Sequence, residues 1–193
     1  MNAVILGVSD RSILWRHGKV KKNEYETLVH DYARFLAKRF DNVIVTPDDG
    51  VYTDIALEFG RLKKKKPLAY YPDKDTYYGI AHIKDNFPLY DVRPIGGDWY
   101  KLNADLSKQA KAVICLGFSP GVLIEGAFIK YHQQYGGFKD PTLKHIHWFI
   151  DERCIDKRLP ASFEEQIANI FYYRSLDELA KLLEKRKKFL EEK

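Results

Sequence analysis

Glu125 is the residue whose type and setting most suggest chemistry. It follows the turn Gly117-Phe-Ser-Pro-Gly121 within AVICLGFSPGVLIE, Ala112 to Glu125. The apolar run Ala112–Leu116 reads as a short buried strand, and Val122, Leu123, Ala127 and Phe128 mark the apolar face of a helix with Glu125 one turn in. A strand, a glycine turn and a helix together present unpaired backbone N–H groups, and the positive end of a helix dipole, to an anion. The turn lies at the carboxyl end of its strand, where open parallel sheets bind ligands. The spacing therefore predicts a phosphate-binding loop of Gly117, Ser119, Gly121 and Val122, with a carboxylate beside it. The plainer alternative is an ordinary strand-to-helix turn with a surface glutamate, since doubly wound proteins contain several such turns.

Other turns add candidates. Thr46-Pro-Asp-Asp-Gly50 places two carboxylates at a helix start, where the dipole favours them. They would repel a phosphate and would suit ribose hydroxyls, an amine or a hydrated Mg²⁺. Asp49 reads as a helix N-cap, and Asp48 stays open between cap and ligand contact. Asp10, in Gly7-Val-Ser-Asp10, is a turn residue by default and a ligand contact if the first loop closes over the site. His145 and His147 alternate onto one side of a strand, but no third ligand accompanies them, so no metal is expected. Trp99 and the tyrosines at 70, 71, 77 and 78 offer either base-stacking surface or packing.

The elements that must position these residues follow from periodicity. Apolar runs alternate with helical patterns along the chain, which predicts an α/β fold: a three-layer, Rossmann-like arrangement with a mostly parallel sheet and helices on both faces. Strands are expected at Ala3–Val8, Asn42–Val45, Pro67–Tyr71, Tyr90–Ile95, Ala112–Leu116, Leu143–Ile150 and Ile170–Tyr173. A capping box of Asn23 with Glu26 should open the first long helix, and Ser162 with Glu165 and Ser175 with Glu178 should open two later ones. Tyr77–Lys84 reads as helical, and Gly96-Gly97-Asp98 should open a helix to about Gln109.

With 193 residues and no repeat or linker, the chain reads as a single Rossmann-like domain over 1–193. A hydrophobic content of 45% argues against disorder. The net charge of +5 lies largely in Arg61–Lys66 and the tail after Lys181, which read as solvated surface, so neither nucleic acid nor membrane is expected as a partner. No apolar run reaches the roughly 18 residues of a membrane span. The N-terminus has no basic segment before its apolar run, so it reads as a strand rather than a signal peptide, and a cytoplasmic location is expected. Cys115, inside a core strand, and Cys154 fit that compartment.

Taken in order, the three turns resemble those of the LOG-like (lysine decarboxylase-like) Rossmann superfamily. That group includes cytokinin-activating nucleoside monophosphate phosphoribohydrolases and molybdenum-cofactor carrier-like proteins. Gly7-Val-Ser-Asp10 resembles its first Gly-Ser loop, and Thr46 to Gly60 its glycine turn and following helix. Gly117 to Glu125 resembles its Pro-Gly-Gly-x-Gly-Thr-x-x-Glu signature, with Gly121 at the last glycine and Glu125 at the glutamate. Val122 stands where the family has threonine, which removes one hydroxyl that Ser119 could supply. The position of the phosphoribohydrolase arginine falls on Leu102, flanked by Lys101 and Asn103. The resemblance implies a nucleotide or other phosphate-bearing ligand held by Gly7, Ser9, Asp10, Asp48, Gly50, Gly117, Ser119, Gly121 and Val122. Glu125 and Lys101 would be the catalytic residues for hydrolysis of an N-glycosidic bond in a nucleoside 5′-monophosphate. It implies a homodimer or larger assembly and no resident cofactor. A non-catalytic nucleotide or cofactor carrier and a deoxyribosyltransferase-like enzyme are the alternatives.

Overall fold

The computed structural model describes residues 1–191 and builds them into a seven-stranded sheet with helices on both faces. In chain order the elements are β1 (Asn2–Gly7), α1 (Ile13–Arg16), α2 (Tyr25–Arg39), β2 (Asn42–Val45), α3 (Val51–Lys63), β3 (Leu68–Tyr71) and α4 (Ala81–Lys84). Then come β4 (Asp91–Pro94), α5 (Trp99–Asp105), β5 (Ala112–Leu116), α6 (Pro120–Gln134), β6 (His147–Asp151), α7 (Ala161–Glu164), β7 (Ile170–Tyr173) and α8 (Leu176–Glu191).

Every strand pairing is parallel, in the order β4-β3-β2-β1-β5-β6-β7. Parallel neighbours need crossover connections, and the intervening segments supply them. The chain winds outward from β1 to β4, returns to place β5 on the other side of β1, and winds outward again to β7. Ala3 pairs with Ala112 and Gly7 with Leu116, so the winding reverses between β1 and β5.

The strand sequences explain the layers. Ala3, Ile5, Val43, Val45, Ile114 and Phe149 face Tyr32, Leu36, Ile55 and Phe59 of α2 and α3, and Leu179 and Leu183 of α8. The alternate residues Val4, Leu6, Ile44, Val113, Cys115 and Trp148 face Leu102 of α5 and Val122 and Ile129 of α6. A sheet covered on both faces needs apolar residues at successive positions, which is why its central strands read as unbroken apolar runs.

Asp151, the last residue of β6, is fully buried. It accepts hydrogen bonds from the Tyr32 hydroxyl and, at 2.7 Å, from the Arg153 guanidinium, while the Tyr32 and Tyr173 hydroxyls lie 2.8 Å apart. The Arg153 carbonyl accepts from the Lys19 amide at 2.6 Å, which ties the long first loop to this end of β6.

Several boundaries differ from the sequence expectation. The Asn23–Glu26 box is replaced by a short 3₁₀ turn, Lys22–Glu24, in which the Glu24 carboxylate accepts the Lys21 amide at 3.4 Å. The Tyr77–Lys84 helix shrinks to α4, because the Asp75 carboxylate collects the Tyr77, Tyr78 and Gly79 amides and holds them in a turn. Pro141–His145 is a 3₁₀ turn capped by Asp140, so β6 starts only at His147. Ser162 lies within α7, after Pro160 at its N-cap, so no capping box forms there. At Ser175 half of the box forms: its hydroxyl accepts the Glu178 amide at 3.2 Å, while the Glu178 carboxylate takes the Arg174 amide at 2.7 Å rather than that of Ser175.

Candidate functional site

A cleft opens at the carboxyl ends of β1, β2 and β5, where the winding reverses. Gly7 and Ser9 line it from the end of β1 and the loop after it, and Thr46, Asp48 and Tyr52 from the β2 turn and α3. Trp99, Asn103 and Leu106 line it from α5 and the turn after it, and Ser119, Gly121, Val122 and Glu125 from the β5 turn and α6. Carboxyl ends at a reversal point form a crevice because the flanking connections leave in opposite directions.

The β5 turn is built as follows. Gly117 adopts φ +95°, and a Cβ there would stand 2.9 Å from Val8 Cγ1. Ser119 is the N-cap of α6, its Oγ accepting the Val122 amide at 3.3 Å, and Pro120 takes the first helical position. This changes the expected anion cradle. Of the four residues that open α6, Pro120 has no N–H and the Val122 amide is spent on Ser119, which leaves the Ser119 and Gly121 amides without an acceptor among the described residues.

Glu125 points inward rather than to solvent: it is 7% exposed and, among the described residues, has neither hydrogen bond nor ion pair. Burial alone pushes its carboxyl up to about 8. Tyr52 is nearly as buried, which holds its phenol well above the usual range, and its hydroxyl lies 3.4 Å from Ser9 Oγ. Across the cleft, the Asp48 carboxylate accepts the Asp49 amide at 2.8 Å. Neither aspartate caps α3. The N-cap is Gly50, at φ +147°, so the N-cap assignment of Asp49 is corrected: the chain enters the helix through a backbone geometry reserved for glycine.

Four of the residues proposed from the sequence lie outside the cleft wall. Asp10 is exposed, bridges to Arg16 at 2.6 Å and accepts the Ser12 amide at 2.9 Å. Gly50 packs on Val8 and Ser9 backbone, and Gly117 packs against Val8, Leu14 and Cys154. Lys101 turns along its own helix to the Asp105 carboxylate, one turn on. Leu102, at the position of the family arginine, is fully buried in the core. Its neighbour Asn103 reaches the cleft instead.

Asn103, Tyr52 and Thr46 went unassigned in the sequence. Leu102 and Leu106 lie a helical turn apart and mark the buried stripe of α5 and the turn after it, and Asn103 lies just off that stripe. Trp99 stands on the wall as a stacking candidate, with its indole N–H donating to the Gly79 carbonyl at 2.9 Å and its ring stacked on His82. The side chains on this wall carry two carboxyl groups and, among the described residues, no lysine, arginine or histidine.

Strand order and crevice together define a doubly wound, Rossmann-like protein. No protein-family model matches the chain, and no curated protein matches it. Solved structures do. TM1055, a structural-genomics target, shares 16% identity over 95% of this chain and 98% of its own, with a TM-score of 0.61. The molybdenum cofactor binding protein from the phototrophic bacterium Rippkaea orientalis shares 11% over 95% of each chain, with a TM-score of 0.58. DNA processing protein A from Helicobacter pylori, described for a single-stranded DNA binding mode, shares 14% over 96% of this chain and 80% of its own, with a TM-score of 0.55. At these identities the likeness is one of fold. It is the Rossmann-like fold that the LOG-like resemblance implies. No described helix is long and apolar enough to cross a membrane.

Proposed function

We propose that the chain binds a nucleoside-containing small molecule in the cleft at the β1/β5 reversal, with the sugar beside Glu125 and the base toward Trp99. The observation that carries this reading is Glu125 itself. It is a buried carboxyl without a partner, facing a cavity at the carboxyl ends of parallel strands. Burying such a group costs free energy unless something compensates, and a ligand is the natural compensation. The solved structure named for molybdenum cofactor binding supports a small-molecule site on this fold.

The chemistry such a carboxyl supports is cleavage of an N-glycosidic bond. An ionised Glu125 would stabilise the oxocarbenium-like sugar as the base departs. Incubation with a panel of nucleosides and nucleotides, followed by chromatography for free base, tests this. Release that is lost in Glu125→Ala supports catalysis; no release by the wild type assigns the cleft to binding alone. That the wall carries no cation among the described residues favours that second reading, a carrier or sensor that holds its ligand unchanged. A cytoplasmic protein that self-associates completes the proposal, and light scattering of purified protein tests the second part.

A further inference from the structure

We infer that the cleft takes an uncharged nucleoside and discriminates against its 5′-phosphorylated form. The inference rests on the nucleoside reading above and specifies its ligand.

Charge inventory carries it. A phosphate group is held by cations, by several converging amides, or by both. Here the side chains of Asp48 and Glu125 supply negative or neutral groups only, and no cation lines the wall among the described residues. Neither of two positions on α5 supplies one. Lys101 is committed to Asp105, and the helix position that could carry an arginine is the buried Leu102. The start of α6, Ser119 to Val122, offers only two free amides, since Pro120 has none and Ser119 Oγ holds that of Val122. What remains suits hydroxyls and a heterocycle. Asn103, Ser9 and Asp48 can donate to or accept from a ribose, and Trp99 is braced by His82 and the Gly79 carbonyl as a flat apolar wall. A buried, unpartnered glutamate looking into the same space gains a hydroxyl partner without adding charge to charge.

Calorimetric titration of the full chain with adenosine, guanosine, cytidine and uridine, each against its own 5′-monophosphate, tests the inference. At least one nucleoside should bind about tenfold or more tighter than its monophosphate. Asp48→Asn should narrow that gap by raising affinity for the monophosphate. Asn103→Arg, which places a guanidinium on the wall, should narrow or reverse it. Two variants guard against failure of either one to fold. Glu125→Gln should weaken nucleoside binding, which fixes the location. Wild-type protein that binds a monophosphate as tightly as its nucleoside, or more tightly, overturns the inference and leaves the nucleoside-containing reading standing. Binding of neither series overturns both.

Discussion

Gly126 and Trp148 are packed so closely that a Cβ on residue 126 would stand 2.1 Å from Cη2 of the indole. The ring is fully buried on β6 and has nowhere to retreat. Helix α6 therefore lies on the sheet at a distance only glycine permits, and Glu125, the next residue back, is carried into the cleft by that approach.

Gly126→Ala should accordingly destabilise the protein. Overpacking in a dense core costs about 1–3 kcal/mol, against a helix-propensity gain of at most about 1 kcal/mol. Urea unfolding should show a lower midpoint. An unchanged or higher midpoint would mean that α6 can lift from the sheet without cost.

Glu125→Gln should alter how stability depends on pH. The folded-state carboxyl titrates near 8 against an ordinary value of 4.5, so between those values the native state holds a proton that the unfolded chain releases. The contribution of this group is present below the lower value and is lost as pH rises through the upper one, at up to about 1.4 kcal/mol per pH unit. The variant lacks that loss. It should gain on the wild type as pH rises from 4.5 toward 8, measured by denaturant titration at several pH values. Parallel profiles would place the carboxyl in contact with solvent.

Asp151→Ala should cost about 2–4 kcal/mol. Breaking a fully buried pair costs about 3–5 kcal/mol, but the side chain of Arg153 is 36% exposed and can recover some hydration. Tyr32→Phe, which removes one hydroxyl from the same cluster, should cost about 1–2 kcal/mol. Because the Arg153 backbone also holds Lys19, hydrogen exchange in the first loop should quicken in the aspartate variant.

Asp75→Ala should loosen the wall that carries Trp99 while sparing the core. Its carboxylate gathers the amides of residues 77, 78 and 79 and also that of Trp99, at 3.2 Å. Asn86, further along the same segment, bonds the Pro47 carbonyl at 3.1 Å and so reaches the turn bearing Asp48. Faster exchange over residues 77–86 and weaker ligand binding, with the unfolding midpoint nearly unchanged, is the expected pattern. Unaltered exchange would show that the segment is held by other contacts.

The layers were legible in the sequence because strands buried on both faces must be apolar throughout, and runs such as Val113-Ile-Cys-Leu116 have no other use. The locations of Glu125, Ser119 and Gly121 followed from the same logic, since a glycine turn after a central strand has one place to go. What did not follow were outcomes decided by local competition for hydrogen bonds. The Ser119 hydroxyl took the Val122 amide, the Asp105 carboxylate took Lys101, and the Asp75 carboxylate ended a helix before it began. Asn103 and Tyr52 reach the cleft through the rotation of their helices, which periodicity encodes only relative to a known buried stripe.

The pairing of Ala3 with Ala112 has a consequence for synthesis. Within this sheet the strand made first is the central one, and one of its two partners leaves the ribosome only after three further strands have emerged. The nascent chain can assemble β1 through β4 early, but one edge of β1 stays open until β5 arrives, so this half-built intermediate is where a chaperone would be needed most.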